Sequence, residues 1–141
     1  MKFVLDCSVT MAWCFEDEGN TYTEKILDFL QKKNEARVPP IWKLEVINVL
    51  LLAEKKKRID RLIAANFKNA LLHLPIHIDH TATDRVFETV FEIAKECDLS
   101  SYDASYLELA FREKIPIATQ DEALIKAASK VHVKYIMLHD L

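Results

Sequence analysis

The chain has 141 residues, about one domain's length; half are hydrophobic and 29% charged, which excludes a disordered tail or a membrane bundle. Nineteen Lys and Arg against 22 Asp and Glu leave a net charge of −3, so no general cationic field draws it onto nucleic acid or anionic lipid. The single glycine, Gly19, excludes phosphate loops, dinucleotide fingerprints and nucleophile elbows, which need several glycines at set spacing.

Lys2 to Leu5 is an apolar run suited to a buried first strand, ending at Asp6. Tyr22, Ile26, Phe29 and Leu30 predict a helix over Thr21 to Lys33. Val38 is a short extended piece stopped by Pro39 and Pro40, and Ile41 to Lys57 is a helix apolar on nearly every side, which predicts a central position. Further helices are expected over Asp60 to Leu72, Thr81 to Cys97, Ser101 to Glu113 and Asp121 to Lys130. Strands are expected at Ile76 to Ile78, Ile115 to Ala118 and Tyr135 to Leu138. Strands separated by helices, with no hairpin signal of the Asn-Gly type, predict one α/β domain over residues 1–141, a parallel sheet covered on both faces.

Cys7, Cys14 and Cys97 are odd in number and lack CxxC spacing, which favours a reducing compartment. Val46 to Ala53, interrupted by Asn48, is too short to cross a bilayer, and Asp6 ends the apolar start before a secretory segment is complete. The expectation is a cytoplasmic protein with no membrane contact.

In a parallel sheet, ligands bind outside the carboxyl ends of the strands. Asp6 follows the first strand; its ordinary reading is a helix cap. Glu45 shares a helical face with Ile41, Leu44, Asn48 and Leu52, a costly place unless it escapes to solvent. Asp103 heads the face of Tyr106, Leu107 and Ala110, and Asp121 that of Leu124, Ile125 and Ala128; a first-turn acid and an N-cap are their ordinary uses. All four nevertheless fall at one end of one sheet. Gathered carboxylates repel unless a cation holds them, and an oxygen-only set selects Mg²⁺ or Mn²⁺ over zinc. Such a site suits phosphodiester hydrolysis.

At these residues the chain resembles the PIN-domain nucleases, most closely the VapC-type ribonuclease toxins. The likeness is carried by Val4-Leu5-Asp6-Cys7-Ser8-Val9, by Pro40 to Glu45 with Asn48-Val49-Leu50, by Leu99 to Ala104 and by Pro116 to Asp121, in the family's order. The resemblance implies a three-layer α/β/α fold that binds Mg²⁺ or Mn²⁺ and cleaves RNA. Asp6, Glu45, Asp103 and Asp121 would be the catalytic and metal-site acids, with Ser8 and Thr119 supporting them by hydroxyl hydrogen bonds. A small VapB-like antitoxin and a homodimer are the implied protein partners. Some relatives place a further acid or Asn shortly after the fourth acid, whereas here Glu122 is adjacent, on a different helical face, and Leu124 is apolar.

Lys55, Lys56, Lys57 and Arg58, with Arg61 and Lys68, form the one basic cluster, readable as an RNA contact or a solvated helix end. His77 and His80 lack a matching pair for a metal, and Trp13, Phe15 and Trp42 read first as core. Two competing functions are a phosphate-signalling receiver, disfavoured by Cys7 after Asp6 and Gln120 after Thr119, and a PIN-like binding module without catalysis.

Overall fold

The computed structural model describes residues 1–81 and 84–141. Its centre is a four-stranded parallel sheet in the order β3-β2-β1-β4, from β1 (Lys2–Leu5), β2 (Glu35–Val38), β3 (Ile76–Ile78) and β4 (Ile117–Ala118). Phe3, Val4 and Leu5 are completely buried, as an apolar run must be when helices cover both faces. Seven α-helices flank the sheet among the described residues: α1 (Cys7–Ala12), α2 (Thr21–Gln31), α3 (Ile41–Lys55), α4 (Arg61–Leu72), α5 (Phe91–Cys97), α6 (Ser101–Glu113) and α7 (Glu122–Lys130). The predicted three-layer α/β/α fold is the one observed.

Because β1 pairs with β2 on one side and β4 on the other, the order reverses at β1. A crevice therefore opens between the ends of β1 and β4, the switch point where ligands of such sheets bind. Asp6 leaves β1 there, and Thr119 to Asp121 leave β4.

Several local expectations are corrected. The closing strand at Tyr135 to Leu138 is a single bridge, Ile117 to Tyr135, followed by a 3-10 turn over Leu138–Asp140. The helix expected over Thr81 to Cys97 is present from residue 84 to 97, but with a π-helical turn, Val86–Val90, running into α5; its residues 82 and 83 lie outside the described residues. Helix α1 had no periodic signal, and it packs against α3 with Val9, Thr10, Met11 and Ala12 buried. Most notably, α3 is not central. It buries Trp42, Val46, Leu50 and Ala53, while Leu44, Ile47, Leu51 and Leu52 face outward.

Helix ends follow a rule that the lone glycine hides. After α3, α5, α6 and α7 the chain turns through the left-handed region at Lys57, Asp98, Lys114 and His132, with φ of 57°, 52°, 54° and 61°. In each case the next residue's N–H donates five residues back, as Arg58 does to Ala53 and Ile115 to Ala110. These positions favour glycine, yet Gly19 sits at φ −70°, ψ 146°, which any residue can adopt.

Candidate active site

Asp6 is buried, and although it heads α1 its side chain makes no cap bond. Its Oδ2 instead accepts from Ser8 Oγ and Thr119 Oγ1, both at 2.7 Å. Those hydroxyls in turn accept from the backbone N–H of Gln120 (3.1 Å) and of Asp121 (3.0 Å). Each hydroxyl thus passes the polarisation of a peptide N–H to the carboxylate and binds the β1 end to the β4 end.

Glu45, half-buried on the edge of α3, accepts at Oε1 a 2.6 Å hydrogen bond from the Tyr106 phenol. Tyr106 lies completely buried on α6, one turn beyond Asp103. The backbone N–H of Asp103 donates to the capping Ser100 Oγ at 3.1 Å, leaving its half-buried carboxyl beside the other acids. Asp121 does cap α7: Oδ1 accepts from the N–H groups of Ala123 (2.9 Å) and Leu124 (3.3 Å). Only Oδ1 is engaged by the described residues, so the cap and a ligand role are compatible.

The electrostatics tie the acids together. Burial pushes the carboxyls of Asp6, Glu45 and Asp103 above the ordinary range. Mutual repulsion adds to it: Asp121 acts on Asp6, Asp6 and Asp103 on Glu45, and Asp6 and Asp121 on Asp103. The hydroxyls of Ser8 and Thr119 and the phenol of Tyr106 oppose the shift by donating to the charged forms. Burial, Glu45 and Asp6 also push the neighbouring Cys7 thiol far up, which removes it as a thiolate nucleophile.

Among the described residues no three His, Cys, Asp or Glu side chains close around one point as a finished metal cage. Repulsion acts over several ångströms, whereas ligation needs oxygens within about 2.0–2.6 Å of the ion. The donor set fits a hard divalent cation in kind: carboxylate oxygens, no cation among their charge partners, and a charge excess that only added positive charge relieves. An open depression of about 510 Å³ beside the site is lined by Cys7, Ser8, Met11, Glu18, Val49 and Gln120. A larger cavity, about 860 Å³ and reached by none of the four acids, lies between α2 and α4.

The other candidates fare differently. Arg58 is engaged within the chain, its Nη2 donating to both carboxylate oxygens of Asp17 at 2.6 and 2.8 Å and its guanidinium 4.0 Å above the Phe15 ring, whereas Lys55, Lys56 and Lys57 are exposed. Trp13 donates to the Thr23 carbonyl and the buried Trp42 to Thr10 Oγ1, so both serve the packing. His77 and His80 are exposed and join no metal-holding group among the described residues. Sequence reasoning passed over Tyr106 as a core residue; its place one turn from Asp103 on the same face was the available signal. It also missed a shielded network in which Arg112 reaches Asp79 at 2.5 Å and Glu108 at 2.8 Å.

A parallel α/β/α domain with acids converging on its switch point defines a class of small domains that work at the carboxyl edge of the sheet. Within that class the assignment is specific: the PIN domain family model matches residues 3–130, and the chain belongs to the PIN domain family. PIN domains are generally metal-dependent nucleases. The fold is similar to that of PAE2754 from Pyrobaculum aerophilum, at 22% identity and a TM-score of 0.67, covering 90% of this chain and 87% of that one. It is also similar to VapBC2 from Rickettsia felis, solved with a DNA fragment from its promoter, at 14% identity and a TM-score of 0.69 over 96% and 98% of the two chains. No curated protein matches in sequence.

Proposed function

We propose that this chain is an endoribonuclease dependent on Mg²⁺ or Mn²⁺ and the toxin of a VapBC-type pair, acting in the cytoplasm as a homodimer until a small VapB-like antitoxin covers its site. The observation that carries the nuclease reading is the mutual repulsion of Asp6, Glu45, Asp103 and Asp121 at the switch point of a PIN fold. Those four carboxylates would hold the cation. When bound, it supplies a Lewis acid for the scissile phosphate and lowers the pKa of a bound water.

The chain's own part is preorganisation. Ser8 and Thr119 keep Asp6 oriented and favour its charged form against burial, Tyr106 does the same for Glu45, and the α7 N-terminus orients Asp121. Exposed Lys55, Lys56 and Lys57 would meet RNA phosphates. The likeness to VapBC2 supports the antitoxin, and the acidic crevice specifies its chemistry: an Arg or Lys side chain that pairs with the carboxylates and competes with the cation. Among the described residues no helix is long and apolar enough to cross a membrane.

Purified protein incubated with labelled RNA is expected to cleave with Mn²⁺, to stop with EDTA, and to lose most activity as Asp6→Asn, Glu45→Gln, Asp103→Asn or Asp121→Asn. Binding of RNA without metal-dependent cleavage would favour the non-catalytic module instead. Expression of the chain alone should arrest growth and Asp6→Asn should not; absence of arrest would remove the toxin role and leave the metal site standing.

A further inference from the structure

The open depression of about 510 Å³ adjoins the acids through three elements. Cys7 and Ser8 follow Asp6 into α1, Gln120 precedes Asp121, and Val49 stands one turn, about 6 Å along the axis, beyond Glu45 on α3. Ser8 also belongs to the Asp6 network, donating to Oδ2 at 2.7 Å and accepting from the Gln120 N–H at 3.1 Å. A molecule gripped by the acids therefore extends into the depression with its neighbouring part.

The lining is of two kinds. Met11 and Val49 supply an apolar wall, and a methionine sulfur packs well against an aromatic ring. Ser8, Gln120 and Glu18 supply polar groups. Ser8 is engaged as above, and Gln120 accepts from Asn20 at Oε1 and donates from Nε2 to the Ser8 carbonyl at 3.4 Å. Glu18 is the exception. Its Oε1 meets only Arg58 Nη1, at 3.5 Å, while Arg58 gives its short bonds to Asp17; among the described residues Oε2 has no partner.

An apolar wall with an available carboxylate beside it fits a nucleobase. Of the four RNA bases only guanine presents two parallel donors, N1–H and N2–H, which a carboxylate accepts together; adenine, cytosine and uracil each offer it a single donor group. Arg58 offsets part of the charge by which Glu18 would repel a phosphate. Glu16, Asp17 and Glu54 also lie at this end of the molecule, but none lines the depression, and Lys55, Lys56, Lys57 and Arg58 match these acids and Glu18 in charge. Exposed Lys56, two turns beyond Val49 on the same face of α3, stands where a strand leading away from the acids would pass.

We propose that this depression is the subsite for the base beside the scissile phosphate, and that Glu18 selects guanine there. The inference deepens the endoribonuclease reading and rests on it.

The test incubates the full chain and Mn²⁺ with short end-labelled oligouridylates carrying one central guanosine, adenosine, cytidine or inosine, or none. The kcat/KM for a bond flanking guanosine is expected to exceed that for the other bases by about ten- to a hundredfold, the discrimination of a bidentate pair. Inosine keeps N1–H and lacks the 2-amino group, so the wild type should lose most of its preference on it. Glu18→Gln should lose the guanosine preference and treat guanosine and inosine alike; because that comparison changes the RNA and not the protein, a folding defect cannot imitate it. Cleavage without base preference, or a guanosine preference that both inosine and Glu18→Gln leave intact, would overturn the subsite while the nuclease stands. Absence of Mn²⁺-dependent cleavage on every RNA would overturn the nuclease reading and the subsite with it.

Discussion

Tyr106→Phe isolates one hydrogen bond at the candidate site. Tyr106 is completely buried and its hydroxyl donates to Glu45 at 2.6 Å, so Phe keeps the packing and removes only the donor. A hydrogen bond to a charged group contributes about 1.5–3 kcal/mol. Glu45 is half-buried and can turn to water, which puts the net loss near the low end, about 1–1.5 kcal/mol. At 1.4 kcal/mol per decade this predicts roughly a tenfold fall in kcat/KM for metal-dependent cleavage. The phenol also holds the Glu45 carboxyl down against burial, so its loss raises that carboxyl further and shifts the acid limb of the pH–rate profile to higher pH. In a double-mutant cycle, Tyr106→Phe on a Glu45→Gln background should add little. Cleavage within twofold of wild type with an unmoved profile would show that the phenol does not position Glu45.

Asp6→Asn should stabilise the metal-free protein by about 1 kcal/mol at neutral pH, a few degrees in Tm, because Asn still accepts from Ser8 and Thr119 while the buried charge is gone. The folded carboxyls of Asp6, Glu45 and Asp103 are raised, so their contribution is full below about pH 4 and is lost as pH rises through the raised values. Metal-free wild type should therefore lose Tm from pH 5 to pH 8 more steeply than Asp6→Asn, and parallel curves in calorimetry would refute this. Replacing Lys55, Lys56 and Lys57 by Gln should flatten the log–log salt dependence of RNA binding by about 0.7 for each phosphate no longer neutralised, with Mn²⁺ affinity unchanged; an unaltered slope in filter binding would return these lysines to a solvated helix end. Lys114→Gly should raise stability by about 0.5–1 kcal/mol, since Lys114 holds φ 54° at the end of α6; a denaturant midpoint that falls would mean its side chain carries weight the backbone argument omits.

The acids were legible because each is tied to an element boundary or a helical face that the hydrophobic pattern defines. Asp6 ends β1, Asp121 opens α7 and Asp103 lies in the first turn of α6, so strand and helix limits alone bring them to one edge. What the pattern could not supply was the hydrogen bonding. Tyr106 carries an apolar ring and a polar tip, and periodicity registers only the ring. The ends of α3 and α5 lacked their usual mark because Lys57 and Asp98 stand where glycine is favoured. The segment from Tyr135 to Leu138 reads as a strand but meets β4 at one bridge only and then turns, its Met137 N–H bonded to Asp140. Arg58 looked like part of a free basic run because the acids that take it, Asp17 and Glu18, lie some forty residues away in the chain.

Helix α3 teaches a different lesson. An all-apolar helix is commonly buried on every side, and that rule placed α3 at the centre of the molecule. The fold class read from the same sequence forbids it: in a three-layer α/β/α domain the centre is the sheet, and a helix in either outer layer has the sheet on one side and neighbouring helices at its flanks. Trp42, Val46, Leu50 and Ala53 take up the inner side, and α1 and α4 flank it, which among the described residues leaves Leu44, Ile47 and Leu51 on the outer side with about half of their surface exposed. Apolar residues there add little to the folding of a single chain, since they remain half in water, and gain their burial only when a second surface arrives. An outer-layer helix with two apolar faces is therefore a statement about association as much as about the folding of one chain.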